Sequence, residues 1–147
     1  MKMLGREPKE IKEHYVLTSA DYEKGLKEKK LLGLRCKECK QITCPPMIVC
    51  QRCGSKELEK TELNGEGELM TFTIIRIPPE DYEAPYIVCL VKTKEGPWII
   101  GRLDYDTEKM SPELLGKKVR VKDVYAHADK YSGGEHVCPV FEISQSH

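Results

Sequence analysis

Cys36-Lys37-Glu38-Cys39 and Cys50-Gln51-Arg52-Cys53, with ten residues between them, are the stretch on which the reading of this 147-residue chain turns. A two-residue gap lets both thiolates of a pair meet one ion, and two such knuckles facing each other close a tetrahedral four-sulfur shell of the zinc type. The short middle gap suits a compact ribbon rather than a long finger. Gly54, directly after the second knuckle, supplies the left-handed backbone that aims N–H groups at the sulfurs, whereas Lys40 stands in the equivalent place after the first. A shell closed by Cys36, Cys39, Cys50 and Cys53 has no open coordination position, so the Zn2+ it implies is structural and does not activate water. Arg35, Lys37, Lys40, Arg52 and Lys56 supply cations near a site whose net charge is about −2. The alternatives are two disulfides, four free thiols, or iron in the same cage, which would make an electron carrier.

No apolar run approaches 18 residues, and Met1 to Glu13 is polar and charged, without a hydrophobic signal core. The expectation is a soluble cytoplasmic protein with no membrane partner. Beyond the knuckles, Cys44, Cys89 and Cys138 are an odd remainder, which points to a reducing compartment. Formal charge sums to zero, but residues 1–60 carry 14 Lys+Arg against 9 Asp+Glu, and residues 61–147 carry 10 against 15. The acidic downstream half is a poor general phosphate-binding surface and argues against nucleic acid as a partner.

Three segments follow from the pattern. Residues 1–30 read as an N-terminal helical segment: a charged leader, Met1 to His14, that orders on a partner, then a helix capped by Thr18 or Ser19 and running to about Lys30. Tyr22 and Leu26 give that helix a narrow apolar stripe, which either docks on another chain or lies on its own domain. Residues 31–63 read as the ribbon, with Pro45-Pro46 stiffening the link between knuckles. Asn64-Gly65-Glu66-Gly67 reads as a flexible break, and residues 64–147 as a barrel. Its expected strands are Glu68 to Ile77, Tyr86 to Lys92, Trp98 to Leu103, Lys117 to Ala126 and His136 to Ile143. In the first of these, Met70, Phe72 and Ile74 share one face. Lys94-Glu95-Gly96-Pro97 makes a hairpin turn, and Ser111-Pro112-Glu113 opens a short helical turn before the fourth strand. Five strands with that helical element match a small Greek-key barrel of the OB type.

Other candidate chemistry is sparse. Cys89, inside Ile87-Val88-Cys89-Leu90-Val91, reads as core. Cys44 reads as a packing residue of the ribbon. Cys138 follows His136 by two residues on one strand face, so a thiol-imidazole pair is conceivable, but no third orienting group is evident. His127, Asp129 and His136 flank the loop Lys130-Tyr131-Ser132-Gly133-Gly134 and are candidates for a second metal, against the default that loop polar groups face water. No G-x-S-x-G, no HExxH and no spaced carboxylate pair is present. A ribbon beside a barrel also suggests a single-stranded nucleic-acid module, with Phe72, Tyr86, Trp98, Tyr125 and Phe141 as stacking candidates.

Taken in order, a series of short motifs from about Tyr15 to Ile143 resembles the rubredoxin-like zinc ribbon plus OB-fold proteins associated with acyl-CoA enzymes, formerly domain of unknown function 35. The resemblance rests on Leu34-Arg35-Cys36 with Cys39, Pro45-Pro46 before Cys50 and Cys53-Gly54, and Gly67 before Thr71-Phe72-Thr73. It continues through Ala84-Pro85-Tyr86, Gly101-Arg102-Leu103, Gly116-Lys117-Lys118-Val119 and Pro139-Val140-Phe141. The family often has Arg after the double Pro, where this chain has Met47. The fold implied is mainly β: an N-terminal helix and rubredoxin-like zinc ribbon followed by a five-stranded OB-fold barrel. The role implied is a non-catalytic scaffold subunit, which in archaea bridges acetoacetyl-CoA thiolase and hydroxymethylglutaryl-CoA synthase of the mevalonate pathway to isoprenoids. In bacteria, relatives accompany hydratase or thiolase-like enzymes. CoA or acyl-CoA is then expected at a shared interface, with Lys27, Lys29 and Lys30 near its phosphates and Tyr86 or Trp98 near its pantetheine arm or in the core.

Overall fold

The computed structural model describes residues 16–79, 82–129 and 134–144. The expected leader, Met1 to His14, and the tip of the Lys130 to Gly133 loop lie outside the described residues. Helix α1 spans Ser19–Lys27 and is opened by a capping box: the Thr18 hydroxyl accepts from the Asp21 N–H at 3.1 Å and the Asp21 carboxylate accepts from the Thr18 N–H at 3.1 Å. It stops three residues short of the expected end. Lys29 takes a left-handed conformation (φ 65°), its N–H returns to the Leu26 carbonyl and the Lys30 N–H to that of Gly25, which closes the helix in a Schellman motif without glycine.

The ribbon is a three-stranded antiparallel sheet of β1 (Leu31–Cys36), β2 (Ile42–Thr43) and β3 (Leu58–Leu63), in the order β2-β1-β3. Strands β4 (Glu66–Ile75), β5 (Tyr86–Thr93), β6 (Trp98–Leu103), β7 (Lys118–Asp129) and β8 (Gly134–Ile143) close a barrel in the order β4-β5-β6-β8-β7. Two single 3-10 turns, Thr107–Lys109 and Pro112–Leu114, lie between β6 and β7 and put Leu114 into the core. The chain is thus mainly β, with an OB-type barrel behind a cysteine ribbon.

Two local readings need correction. In β4, Leu69 pairs with Val91 but Thr71 pairs with Leu90, so Met70 is the extra residue of a bulge. The phase flips there. Gly67 and Leu69 point inward before it and Phe72 and Ile74 pack on the core after it, while Met70 leaves the face it was expected to share. Nor is 64–67 loose. Asn64 accepts from the Glu66 N–H at 2.9 Å, its own N–H reaches the Glu95 carboxylate at 2.9 Å, and Gly67 pairs with both Thr93 and Val119.

Ribbon and barrel share a core. Tyr22 and Leu26 of α1, Leu31, Ile42, Cys44 and Leu63 of the ribbon, and Leu69, Val91, Ile99 and Phe141 of the barrel belong to one buried cluster. The narrow stripe of α1 is therefore spent within the chain, where Glu23 also accepts from the Val137 N–H of β8 at 3.1 Å and Lys27 pairs with Glu135. A smaller cluster of Leu17, Leu34, Cys36, Cys50 and Leu58 sits at the far end of the ribbon. No helix of the described residues is long and apolar enough to cross a membrane.

Candidate metal centre and barrel groove

The two knuckles are local copies of one another. Cys36 ends β1 and Cys50 ends the β2–β3 connection's apolar turn; in each, the residue four positions on donates back to the cysteine carbonyl at 3.0 Å, Lys40 to Cys36 and Gly54 to Cys50. Both closing residues are left-handed, Lys40 at φ 68° and Gly54 at φ 76°. The lysine therefore adopts the glycine conformation rather than breaking the pattern. Backbone N–H groups turn onto the sulfurs: Cys39 N–H to Cys36 Sγ at 3.4 Å, and Arg52 N–H to Cys50 Sγ at 3.4 Å.

These turns bring Cys36, Cys39, Cys50 and Cys53 together with their Sγ atoms all within 4.8 Å of one another, and with Cys36–Cys53 and Cys39–Cys50 at 3.5 Å. Sulfurs about 2.3 Å from a tetrahedral ion stand roughly 3.8 Å apart, so the donor set fits one ion, and the four cysteines form no disulfide. Its electrostatics also call for a cation. The backbone N–H of Cys39 draws the Cys36 thiol down, and those of Cys53 and Arg52 draw Cys50 down to about 6. The Ser55 N–H acts the same way on Cys53, yet the adjoining sulfurs, Cys36 first, outweigh it and hold that thiol up at about 12. Four sulfurs this close cannot all ionise without a central positive charge. Arg35, Lys37, Lys40, Arg52 and Lys56 are all exposed on the ribbon surface.

The remaining cysteines are placed much as expected. Cys44 and Cys89 are buried, and burial is the main cause that pushes each up to about 12. Cys44 does more than pack the ribbon, since it lies in the core shared with the barrel. Cys138 is half-buried, and burial raises it as well, which opposes the thiolate that a nucleophile needs. His136 instead faces Glu23, Nδ1 to Oε2 at 3.5 Å. His127 and His136 are cross-strand neighbours, but among the described residues only the four knuckle cysteines cluster as metal ligands, and the side chain of Asp129 lies outside what is described.

The second feature is a groove of about 360 Å³ on the barrel, where β6 and β8 part. Those parallel strands pair only at Arg102–Val140 and Leu103–Phe141. Their ladder stops at Pro139, which has no N–H to give, and Gly101 lies so close to it that a Cβ there would stand 2.6 Å from the Pro139 carbonyl. Arg102 lies across the groove with its guanidinium carbon 3.9 Å from the centre of the Tyr86 ring and 3.7 Å from that of Tyr125. Beside it, the Tyr82 and His127 rings lie 4.0 Å apart and the Tyr125 hydroxyl sits 3.2 Å from His127 Nδ1, while His127 Nε2 is buried without a hydrogen-bond partner among the described residues. Of the aromatics considered from sequence, Phe141 is core, Phe72 packs on the core, Tyr86 and Tyr125 line the groove, and Trp98 is 48% exposed. Arg102 was visible in sequence only within a motif; its stacking depends on cross-strand geometry that no local pattern encodes.

Comparison with known proteins agrees with this architecture. Residues 24–59 match the family model "ChsH2, rubredoxin-like zinc ribbon domain" and residues 60–122 match "ChsH2, C-terminal OB-fold domain". A DUF35 domain-containing scaffold protein of Pyrococcus furiosus is 34% identical over 101 residues, covering 64% of this chain and 74% of the relative. The chain belongs to the DUF35 family. A second DUF35 scaffold protein, from Methanocaldococcus jannaschii, is 31% identical over 105 residues; the match covers 69% of this chain and 64% of that protein's length. A probable enoyl-CoA hydratase alpha subunit of Thermomonospora curvata is 33% identical over 78 residues, 52% of this DUF35 chain and 24% of its own. Among solved structures, the Ltp2-ChsH2(DUF35) aldolase superposes with a TM-score of 0.67 at 28% identity, covering 86% of this chain and 94% of the other.

Proposed function

We propose that this protein is a non-catalytic scaffold subunit that bridges acetoacetyl-CoA thiolase and hydroxymethylglutaryl-CoA synthase and so assists transfer of acetoacetyl-CoA in the mevalonate pathway. The observation that carries the reading is the match to archaeal relatives named as scaffold proteins, on a chain whose metal-ligand cluster is a closed set of four thiols. Condensing two acetyl units is uphill, and a scaffold that holds the two active sites together draws the product forward. Cys36, Cys39, Cys50 and Cys53 hold a structural Zn2+; when bound, the ion stiffens the ribbon and supplies no reactive position. The working units are the helical segment 1–30, the ribbon 31–63 and the barrel 64–147, in the cytoplasm, with CoA or acyl-CoA at the interface of scaffold and enzymes.

A second reading draws on other observations. One relative is named a probable enoyl-CoA hydratase alpha subunit and one structural neighbour is an aldolase in which ChsH2 accompanies Ltp2. On that reading the partner is another acyl-CoA enzyme. Affinity purification of the tagged protein from its native cells at moderate salt separates the two. A thiolase and a synthase recovered in comparable amounts is the expected result, a hydratase or aldolase favours the second reading, and recovery of nucleic acid alone overturns both.

A further inference from the structure

Four cations of the barrel half are paired with carboxylates: Arg120 with Glu142, Lys122 with Asp104, Lys94 with Glu66, Arg76 with Glu108. Arg102 is different. No carboxylate of the described residues lies within 4 Å of it, and its partners are the faces of two tyrosine rings. Two rings within 4 Å hold the guanidinium in place, and a guanidinium so held is suited to receive a carboxylate through paired hydrogen bonds.

The groove beside Arg102 has a mostly apolar lining. Arg102 lies in the 360 Å³ groove with Tyr82, Val88, Ile100 and Val137, and it also borders a more polar hollow of about 340 Å³ that includes Glu83. The outer face of β5 and β6 continues the patch, since Val88 lies across from Arg102, Leu90 from Ile100 and Lys92 from Trp98. Ile100 is 60% exposed and Trp98 48%. Arg, Tyr and Trp over an exposed apolar strand face is the composition that anchors protein interfaces.

We infer that this face is where a partner enzyme lays an extended segment, with an Asp or Glu on Arg102 and apolar side chains in the adjoining groove and over Ile100 and Trp98. This rests on the scaffold reading and names the surface it uses. Single-stranded nucleic acid fits the same place poorly. The Tyr86 and Tyr125 faces that would stack on bases are already covered by Arg102, and the half of the chain that builds the barrel carries a net negative charge.

The test uses the full chain and the purified thiolase and synthase of the same organism. Arg102→Gln and Ile100→Asp are each compared with wild type and with Leu115→Asp, an exposed residue outside the groove, after thermal melts show that each variant is folded. Retention of at least one enzyme is expected to fall tenfold or more for the two groove variants and to stay at the wild-type level for Leu115→Asp. Ile100→p-benzoylphenylalanine, irradiated in the assembled complex, should cross-link to a segment carrying Asp or Glu among apolar residues. Wild-type retention by both groove variants overturns the assignment and leaves the scaffold reading standing, as does a complex that forms without any cross-link from position 100. If the wild-type chain retains neither enzyme, both fall. Oligonucleotide binding that Arg102→Gln abolishes also overturns the protein-partner assignment.

Discussion

The two ends of the ribbon are built on different principles. At the barrel end, Leu31, Ile42, Cys44 and Leu63 enter a core with Leu69, Ile99 and Phe141, and burial of apolar surface holds them. At the knuckle end the buried cluster among the described residues is Leu17, Leu34, Cys36, Cys50 and Leu58, two of the five being knuckle cysteines. A cluster that small cannot offset the entropy of ordering two turns, and the proposed Zn2+ takes the place of a core. One end is stable by packing, the other, on the proposed zinc site, by coordination.

Metal removal should break this contrast most strongly. Structural zinc contributes on the order of 10 kcal/mol in small zinc modules. Cys36→Ser or Cys53→Ser, or chelation of the wild type, is expected to abolish stoichiometric zinc and to expose amides of residues 36–57 to exchange while β5 and β6 stay protected. Protection at the knuckles unchanged by chelation would refute the division. Zinc should also leave as pH falls, because protons compete for all four sulfurs.

The mirror experiment empties the other end. Phe141 is 1% exposed at the centre of the barrel, and Phe141→Ala should cost about 3–5 kcal/mol in urea unfolding. Zinc stoichiometry should survive it under native conditions. Loss of both together would mean that the ends are one cooperative unit.

That division explains what could be read in the sequence. That Cys36, Cys39, Cys50 and Cys53 cluster could be read from their spacing, because a knuckle takes its donors in pairs two residues apart, and the strands of the barrel showed in their alternation. The bulge at Met70 did not, since an extra residue in one strand is defined only against its partner. Nor did the use of α1, whose Tyr22 and Leu26 stripe is the same whether it meets another chain or its own core. The Arg102 stack joins β5, β6 and β7, residues distant in sequence, and only closure of the barrel creates it.

The cap of α1 sharpens the comparison at smaller scale, since this helix ties β1 to β8 without metal. Thr18→Ala should cost about 1 kcal/mol. The Thr18 backbone N–H, and after it the hydroxyl, hold the Asp21 carboxyl below its ordinary value of 3.8. A group lowered by folding contributes above its unfolded pKa and loses that contribution as pH falls through the folded one. The cap should therefore be constant from neutral pH down to about 5 and weaken below about 4. Asp21→Asn should flatten that acid limb of the stability profile in urea titrations, and an unchanged limb would place the acid sensitivity elsewhere.

The smallest effects come from the two lysines held left-handed. Lys29 closes α1 and Lys40 closes the first knuckle, at φ 65° and 68°, conformations that cost a side-chain-bearing residue roughly 1 kcal/mol relative to glycine. Glycine also has more freedom to lose from the unfolded chain, which offsets part of the gain. Lys29→Gly should therefore raise stability by somewhat less than about 1 kcal/mol in denaturant unfolding of the whole protein. Lys40→Gly should leave that transition nearly unmoved and appear instead as slower zinc release to a chelator, because its turn belongs to the coordinated end. A gain from Lys40→Gly in global unfolding equal to that from Lys29→Gly would show that the knuckle turn is coupled to the common core.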